Sequence, residues 1–251
     1  MTANQGVTKK RKRGQELSEV LSLTSPLELR TAYNRYGGYC VPVSSQHRPA
    51  AQIVLGGGVW EPNTLAFMAA NCGDGDIVHA GAYFGDFLPA LSRACAPGAK
   101  VWAFEPSLEN FRCARLTVGM NHLTNVELAN LALSSGAGQA RLRVKDPSGF
   151  GLGGASQLVD TAEPGTETTA TAPLDSLVPH DRRVTIVQLD VELHEREALE
   201  GAMTLLKRHR PLLILEVPPN ADWIAERLLP LGYRWSQEVD GNAVLTPGER
   251  P

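Results

Sequence analysis

The chain has 251 residues, 43% of them hydrophobic and 20% charged, with 24 Lys+Arg against 27 Asp+Glu and a formal net charge of −3. Apolar content near the globular average excludes a chain disordered throughout, and the small net charge removes the electrostatic reason for binding nucleic acid over a whole surface.

Residues 1–15 break that balance, with Lys9, Lys10, Arg11, Lys12 and Arg13 and no acid; the rest then has 19 basic against 27 acidic residues, a balance of −8. Such a run can be a nuclear address or a phosphate-binding arm, but the plainer reading is a solvated, disordered basic tail over 1–15. No apolar stretch of signal-peptide type follows it, and no apolar run reaches about 18 residues, so the expectation is a soluble cytoplasmic protein. Residues 16–32 read as a short helical region ended by Arg35-Tyr36-Gly37-Gly38-Tyr39, which makes 16–50 a helical N-terminal cap. A helix follows from Pro62, where a missing N–H is harmless, to about Cys72, and Gly73-Asp74-Gly75-Asp76 stops it.

From there short apolar runs alternate with amphipathic segments. Strands are predicted over 77–80, 100–104, 126–133 and 140–144, with helices from about 87 and 108 between the first three. Residues 146–172, rich in Gly, Ser, Thr and Pro and without clear period, read as a long functional or mobile loop. The alternation resumes with strand 185–189, helix 195–208, strand 211–217 and helix 221–231, and 233–237 with 242–245 suggest a closing antiparallel pair. This βαβ rhythm predicts an α/β fold with a parallel sheet and one catalytic domain over 51–251. Cys40, Cys72, Cys95 and Cys113 lie 32, 23 and 18 positions apart, which matches neither a C-x-x-C redox pair nor a zinc spacing; all four read as reduced and mostly packed.

Ligands of open α/β sheets bind beyond the carboxyl ends of the strands, so the residues that follow each strand carry the functional signal. After the first parallel strand comes Gly81-Ala82-Tyr83-Phe84-Gly85-Asp86, a glycine turn that lets a helix start close to a ligand. Glu105, 24 positions beyond Gly81, is placed to accept both hydroxyl hydrogens of a ribose. A dinucleotide needs G-x-G-x-x-G to cradle its pyrophosphate, and Tyr83 stands where the second glycine belongs; a cofactor with a ribose and no phosphate, such as S-adenosylmethionine, fits better. Further on, Gln188-Leu189-Asp190-Val191-Glu192-Leu193-His194-Glu195 and Leu213-Ile214-Leu215-Glu216-Val217 bring carboxylates to two strand ends. Such a pair can bind a divalent ion, with Asp190 and Glu216 as the metal candidates, or share proton transfer.

The run from about Glu61 to Val217 resembles the FkbM-type methyltransferases that use S-adenosylmethionine. The resemblance rests on Trp60-Glu61-Pro62, the turn from Gly81 to Gly85, Phe104-Glu105-Pro106-Ser107 with Asn110, Asn125-Val126 through Ala132-Leu133-Ser134, Leu189-Asp190-Val191-Glu192 with Glu195, and Glu197-Ala198-Leu199-Glu200-Gly201-Ala202. It implies a Rossmann-like class I methyltransferase fold: a mostly parallel seven-stranded sheet, helices on both faces and an antiparallel C-terminal strand, here with the small helical cap. It also implies S-adenosylmethionine with its methionine end over Gly81, Ala82, Tyr83 and Gly85, its ribose on Glu105, and its adenine near Pro106 and Asn130. The family usually has an acid where His79 stands, a small polar residue near Tyr83 and a glycine where Leu193 stands. Glu61 and Asp86 then remain to hold the cofactor's amino group, and Asp190 completes the cofactor set.

The implied activity is O-methylation of a sugar, polyketide or other secondary metabolite, as in antibiotic biosynthesis. For such an acceptor, Asp190 and Glu192 are expected to flank the hydroxyl, with Glu216 and Mg²⁺ as further aids and His194 as candidate base. Tyr36 and Tyr39, with Tyr33 and Arg35 nearby, are candidates for an aromatic lid over the acceptor, as is the glycine-rich run 149–154. Three other readings stay open: an N-methyltransferase on an amine or amide, an NAD-dependent oxidoreductase, and a noncatalytic nucleic-acid binder using the basic tail. Homo-oligomerisation is open as well.

Overall fold

A computed structural model describes residues 26–248, and every count below refers to them. The basic tail and residues 16–25 of the expected cap lie outside the described residues. In chain order the elements are β1 (Leu29–Asn34), β2 (Gly37–Pro42), α1 (Pro49–Leu55), α2 (Pro62–Asn71), β3 (Asp76–Ala80), α3 (Leu88–Ala94), β4 (Val101–Phe104), α4 (Leu108–Met120) and β5 (Val126–Ala129). The chain continues through β6 (Ala132–Leu133), β7 (Gly138–Arg143), β8 (Gln157–Val159), β9 (Thr166–Ala172), β10 (Val184–Leu189), α5 (Glu195–Glu200), α6 (Met203–His209), β11 (Leu212–Leu215), α7 (Ala221–Arg227), β12 (Tyr233–Val239) and β13 (Asn242–Pro247).

The main sheet has seven strands in the order β12-β13-β11-β10-β3-β4-β5. Strands β3, β4, β5, β10 and β11 run parallel, and β13 lies antiparallel to both β11 and β12. All five residues of β3 are buried, as is most of β10 and β11, because helices cover both faces of a parallel sheet. One face packs Val78, Val187, Leu189 and Leu213 against Leu199, Leu206 and Leu228. The other packs Ile77, Ala103, Ile186 and Ile214 against Leu65, Met68, Leu88 and Leu91. The fold expectation is met: the sequence of β3 to β4 to β5 runs outward one way, the sequence of β10 to β11 the other, and the order reverses between β3 and β10. At such a switch point the loops diverge and leave a crevice.

Four sequence expectations are corrected. Residues 29–42 are not part of a helical cap but a β-hairpin, β1 with β2. Asn34 Oδ1 accepts the Tyr36 N–H at 2.9 Å, so a side chain directs the turn. The hairpin docks on α4 through Cys40 N–H to Thr117 Oγ1 at 3.0 Å and through Asn121, whose amide bonds both the N–H and the carbonyl of Gly38. Residues 146–172 are not one loop: β8 and β9 join β6 and β7 in a second, four-stranded sheet. The run 126–133 breaks at Asn130, whose amide donates to the carbonyls of Glu105 and Pro106. The single helix expected over 195–208 is two. Gly201 is packed so closely on Ser134 that a Cβ there would lie 2.1 Å from its carbonyl oxygen. The Asp175 carboxylate then caps a fresh helix by accepting the N–H groups of Thr204 and Leu205, both at 2.8 Å.

At the amino ends of the central strands, away from the crevice, Asp76 is 1% exposed and accepts from Trp102 Nε1 at 2.7 Å, Lys100 N–H at 2.9 Å and the Arg182 guanidinium. Burial alone would raise its pKa, but the bonds from Arg182, Trp102 and Lys100 outweigh it and hold the carboxyl below its usual range. Asp76→Ala strands those donors, with an expected loss of about 3 kcal/mol measured by urea unfolding. Because the folded pKa is depressed, this contribution is present above the unfolded value near 4 and lost as pH falls through the folded value. A wild-type-minus-variant difference that does not shrink at all as pH falls below the unfolded value would contradict it. Among the described residues no helix is long and apolar enough to cross a membrane.

Candidate active site

The crevice at the carboxyl ends of β3, β10 and β11 opens into two adjoining cavities that share Gly81, Gly154 and Asp190. The wider, about 200 Å³, is lined by residues that include Arg48, Trp60, Glu61, His79, Asp86, Glu192 and Glu216. The narrower, about 30 Å³, includes Glu105, Pro106, Leu133, Leu158 and His194.

The turn after β3 is held by backbone contacts. Gly81 takes φ +85, and its N–H and that of Ala82 both donate to the Phe104 carbonyl at 3.0 Å. Gly85 takes φ +83 and closes the turn with an N–H to the Ala82 carbonyl at 2.7 Å. Tyr83, at φ +47, is 5% exposed; its hydroxyl meets Ser45 Oγ at 2.7 Å and its ring lies against Gly154. The tyrosine thus ties the segment after the hairpin and the 153–155 turn to the cofactor-type loop. Its ring fits there because Gly153 has no Cβ, which would sit 2.4 Å from the Tyr83 hydroxyl.

Glu105 links the loops after β3 and β4. Its Oε2 accepts the Tyr83 N–H and its Oε1 the Ser107 N–H, both at 2.8 Å. Burial pushes its carboxyl up to about 8 against those two bonds, which favour the charged form. Pro106 lines the narrow cavity, whereas Asn130 lines neither cavity and acts on the loop through the carbonyls of Glu105 and Pro106. Ala82 is fully buried in the core beneath the turn.

On the wide cavity the carboxylates crowd. Oxygens of Asp190, Glu192 and Glu216 lie within 4.8 Å of one another. Asp190 is raised well above the usual carboxylate range, first by burial and then by the charge of Glu216 and a hydrogen bond with it; two carboxyls can bond only if one holds a proton. Burial and Glu216 also raise Glu192. Glu216 Oε2 is buried without a protein partner. Asp86, 8% exposed, is pushed up to about 7 by burial and by Glu61. Glu61 sits at φ +41 before Pro62, accepts from Asn242 Nδ2 at 2.7 Å, and is itself raised by burial. Glu192 takes φ +54, so with Glu61 and Tyr83 three non-glycine residues in left-handed backbone line one cavity, and Leu193 at φ +73 follows Glu192, as is common where a site dictates geometry.

The structure therefore brings together Glu61, Gly81, Tyr83, Asp86, Asp190, Glu192 and Glu216. It does not add His194, which faces the narrow cavity with Nε2 3.2 Å from Ser134 Oγ and Nδ1 3.5 Å from Glu197. The aromatic lid is corrected. Tyr39 is a core residue, 0% exposed, with its hydroxyl donated to Asn34 Oδ1 and its ring edge-on to Phe84. Tyr36 packs at the edge of the core under the Arg35 guanidinium and lines neither cavity. Of the 149–154 run, Gly154 does line both. Sequence reasoning missed Arg48 as a cavity residue and marked His79 only as a departure from the family; both line the wide cavity. His79 carried a signal, since it is the fourth residue of β3, one position before the carboxyl end where the crevice opens.

A family model described as the methyltransferase FkbM domain matches residues 79–234. Among solved structures, methyltransferase FkbM from Methylobacillus flagellatus KT aligns at 18% identity and TM-score 0.42, over 68% of this chain and 43% of that one. A SAM-dependent methyltransferase from Aquifex aeolicus aligns at 17% identity and TM-score 0.40, over 72% and 85%. The N-terminal domain of EvdMO1 with SAH bound aligns at 23% identity and TM-score 0.33, over 60% and 45%. No curated protein matches the chain. The chain thus spans less than half the length of the Methylobacillus structure. With more than half of its residues matched by the family model, from His79 in β3 to Arg234 in β12, the chain belongs to the FkbM-domain family of methyltransferases.

Proposed function

We propose that this chain transfers the methyl group of S-adenosylmethionine to a hydroxyl of a small-molecule acceptor. The observation that carries the reading is the wide cavity at the sheet's switch point, where Asp190, Glu192 and Glu216 converge beside the glycine turn. The cofactor suits the residues present: the sulfonium and amino group are cationic, and the wall holds Glu61, Asp86 and Asp190. Gly81, Tyr83, Asp86 and Glu61 would hold its methionine end, and Glu105 with Pro106 its nucleoside end. When bound, it supplies an activated methyl group.

The protein's work is positioning and proton removal. A neutral hydroxyl is a poor nucleophile, and the Asp190–Glu216 pair, sharing one proton, offers an acceptor oxygen next to a group already protonated. Glu192 flanks the pair. His194, which faces the narrow cavity away from the carboxylates with Nε2 on Ser134 Oγ, is the weaker candidate base. Tests with methyl-labelled S-adenosylmethionine should label hydroxyl-bearing acceptors; label confined to amines would favour nitrogen transfer instead.

The close approach of three carboxylates also supports a second reading, in which Asp190, Glu192 and Glu216 hold Mg²⁺ as an oxygen donor set. Dialysis against EDTA separates the two. Unchanged turnover favours the shared proton, and turnover lost and restored by Mg²⁺ favours the ion.

Asp86 gives a pH prediction. Its carboxyl stays protonated to about 7 in the folded protein, and a cationic amino group alongside favours the ionised form. Binding of S-adenosylhomocysteine at pH 7 is therefore expected to release protons, seen as a binding enthalpy that differs between phosphate and Tris, and to release fewer at pH 9. Equal enthalpies in both buffers at pH 7 would contradict it.

A further inference from the structure

Leu193 combines two properties that folding alone does not favour. Its backbone is left-handed at φ +73, a conformation that costs a residue with an apolar side chain and that glycine or asparagine adopts more readily. Its side chain is 69% exposed, so burial does not offset that cost. The loop that carries it is nevertheless anchored on both sides. The Asp190 N–H bonds the Ala80 carbonyl at 3.0 Å, the Val191 N–H bonds Glu195 Oε1 at 3.2 Å, and His194 Nε2 meets Ser134 Oγ at 3.2 Å. Leu193 is therefore held outward between Glu192, which lines the wide cavity, and His194, which lines the narrow one. An exposed leucine is ordinary on any surface; one held there in strained backbone beside a cavity calls for a contact that repays neither folding nor packing.

Val217 repeats the arrangement on the neighbouring strand. It is 37% exposed, directly follows Glu216 and leads into Pro218-Pro219. Because oxygens of Glu192 and Glu216 lie within 4.8 Å of one another, the two apolar side chains each follow an acid of the same cluster. A hydroxyl delivered to those acids brings its neighbouring atoms to this rim. Hydrocarbon there is removed from water by Leu193 and Val217, whereas a further hydroxyl would exchange water for side chains that cannot hydrogen-bond.

We propose that Leu193, with Val217, reads the acceptor: the rim takes a hydrocarbon face adjoining the hydroxyl that receives the methyl group, and disfavours acceptors hydroxylated all round. This narrows the acceptor of the proposed methyl transfer and rests on that reading. Leu193 acts as a specificity determinant and takes no part in moving the proton.

Saturation-transfer NMR on the full chain loaded with S-adenosylhomocysteine compares cyclohexanol with myo-inositol, two six-membered rings that set a hydroxyl among methylenes or among further hydroxyls. Wild type should bind cyclohexanol more tightly by about 10-fold or more, the effect of burying roughly two methylene groups. Leu193→Asn keeps a residue that tolerates left-handed backbone and removes the apolar contact. In that variant the preference should fall to within about 3-fold, with the Kd of S-adenosylhomocysteine within about 3-fold of wild type. Its urea midpoint should hold or rise, since an exposed, strained leucine contributes little to folding. No preference for cyclohexanol in wild type, a preference that survives in Leu193→Asn, or a urea midpoint or cofactor-product affinity that collapses with the substitution would overturn the proposal. If S-adenosylhomocysteine fails to bind wild type, the cofactor reading falls instead, and the same two probes on the unloaded chain still decide the role of Leu193.

Discussion

Replacing Asp190 by alanine is expected to lower turnover by about 10²- to 10⁴-fold, the range that a positioned acid or base contributes, while S-adenosylhomocysteine still binds. The backbone role of this residue survives the change. Its N–H continues the sheet to the Ala80 carbonyl at 3.0 Å, and its own carbonyl packs on Gly81; neither involves the carboxyl. The carboxyl itself is a burden in the folded state, raised by burial and crowded by Glu216, Glu61 and Glu192. Removing it relieves that repulsion, so the melting temperature should hold or rise as activity collapses. This pairing separates a chemical role from a structural one, because a side chain kept for packing loses stability and activity together. Turnover within about 3-fold of wild type would remove Asp190 from the proton-transfer step of the proposed mechanism.

The sheet was legible because its signals are local. Apolar runs such as Leu212–Leu215 and the Gly81 and Gly85 turn announce buried parallel strands and a crevice without reference to distant residues. What was not legible depends on partners far along the chain. Helix 195–208 breaks because Gly201 meets Ser134 and because Asp175, 29 positions before Thr204, caps the second half. The Thr166–Ala172 run looked like loop, although its four threonines are β-branched and residues 166–171 pair with β7. In the site, Asp190, Glu192 and Glu216 were singled out from their places after two strands, and the fold brings their oxygens within 4.8 Å of one another. Tyr39 misled because a tyrosine near glycines suits a lid as well as a hairpin, and only docking on α4 decides for burial. The reach of the 151–156 segment back over the crevice was likewise unreadable, since it is set by the second sheet and by Gly151 N–H bonding the Ser44 carbonyl at 3.2 Å.

The other large effect is expected at Gly81. Its φ of +85 is a conformation that residues with a side chain adopt at a cost, and a Cβ built there would lie 1.8 Å from the Asp190 carbonyl oxygen, a backbone atom that cannot turn away. For Gly81→Ala to fold, the end of β3 must part from the end of β10, which also pulls on the bonds from Gly81 and Ala82 to Phe104. The expected cost is about 3 kcal/mol or more by urea unfolding, from backbone strain and steric overlap together. S-adenosylhomocysteine affinity should fall by more than about 100-fold, since a misplaced turn disturbs both cavities that share this residue. Gly73 isolates the first part of that cost: it has φ +58 and nothing within 4 Å of its Cβ position, so Gly73→Ala should lose only about 1 kcal/mol and leave binding unchanged. Gly154→Ala gives the baseline for a methyl added at the cavity wall, because its nearest contact would be an ordinary 3.5 Å to the Tyr83 ring, with neither a positive φ to strain nor an overlap to relieve. If Gly81→Ala behaves like either control, the close approach of the β3 turn to the β10 end is not what shapes the site.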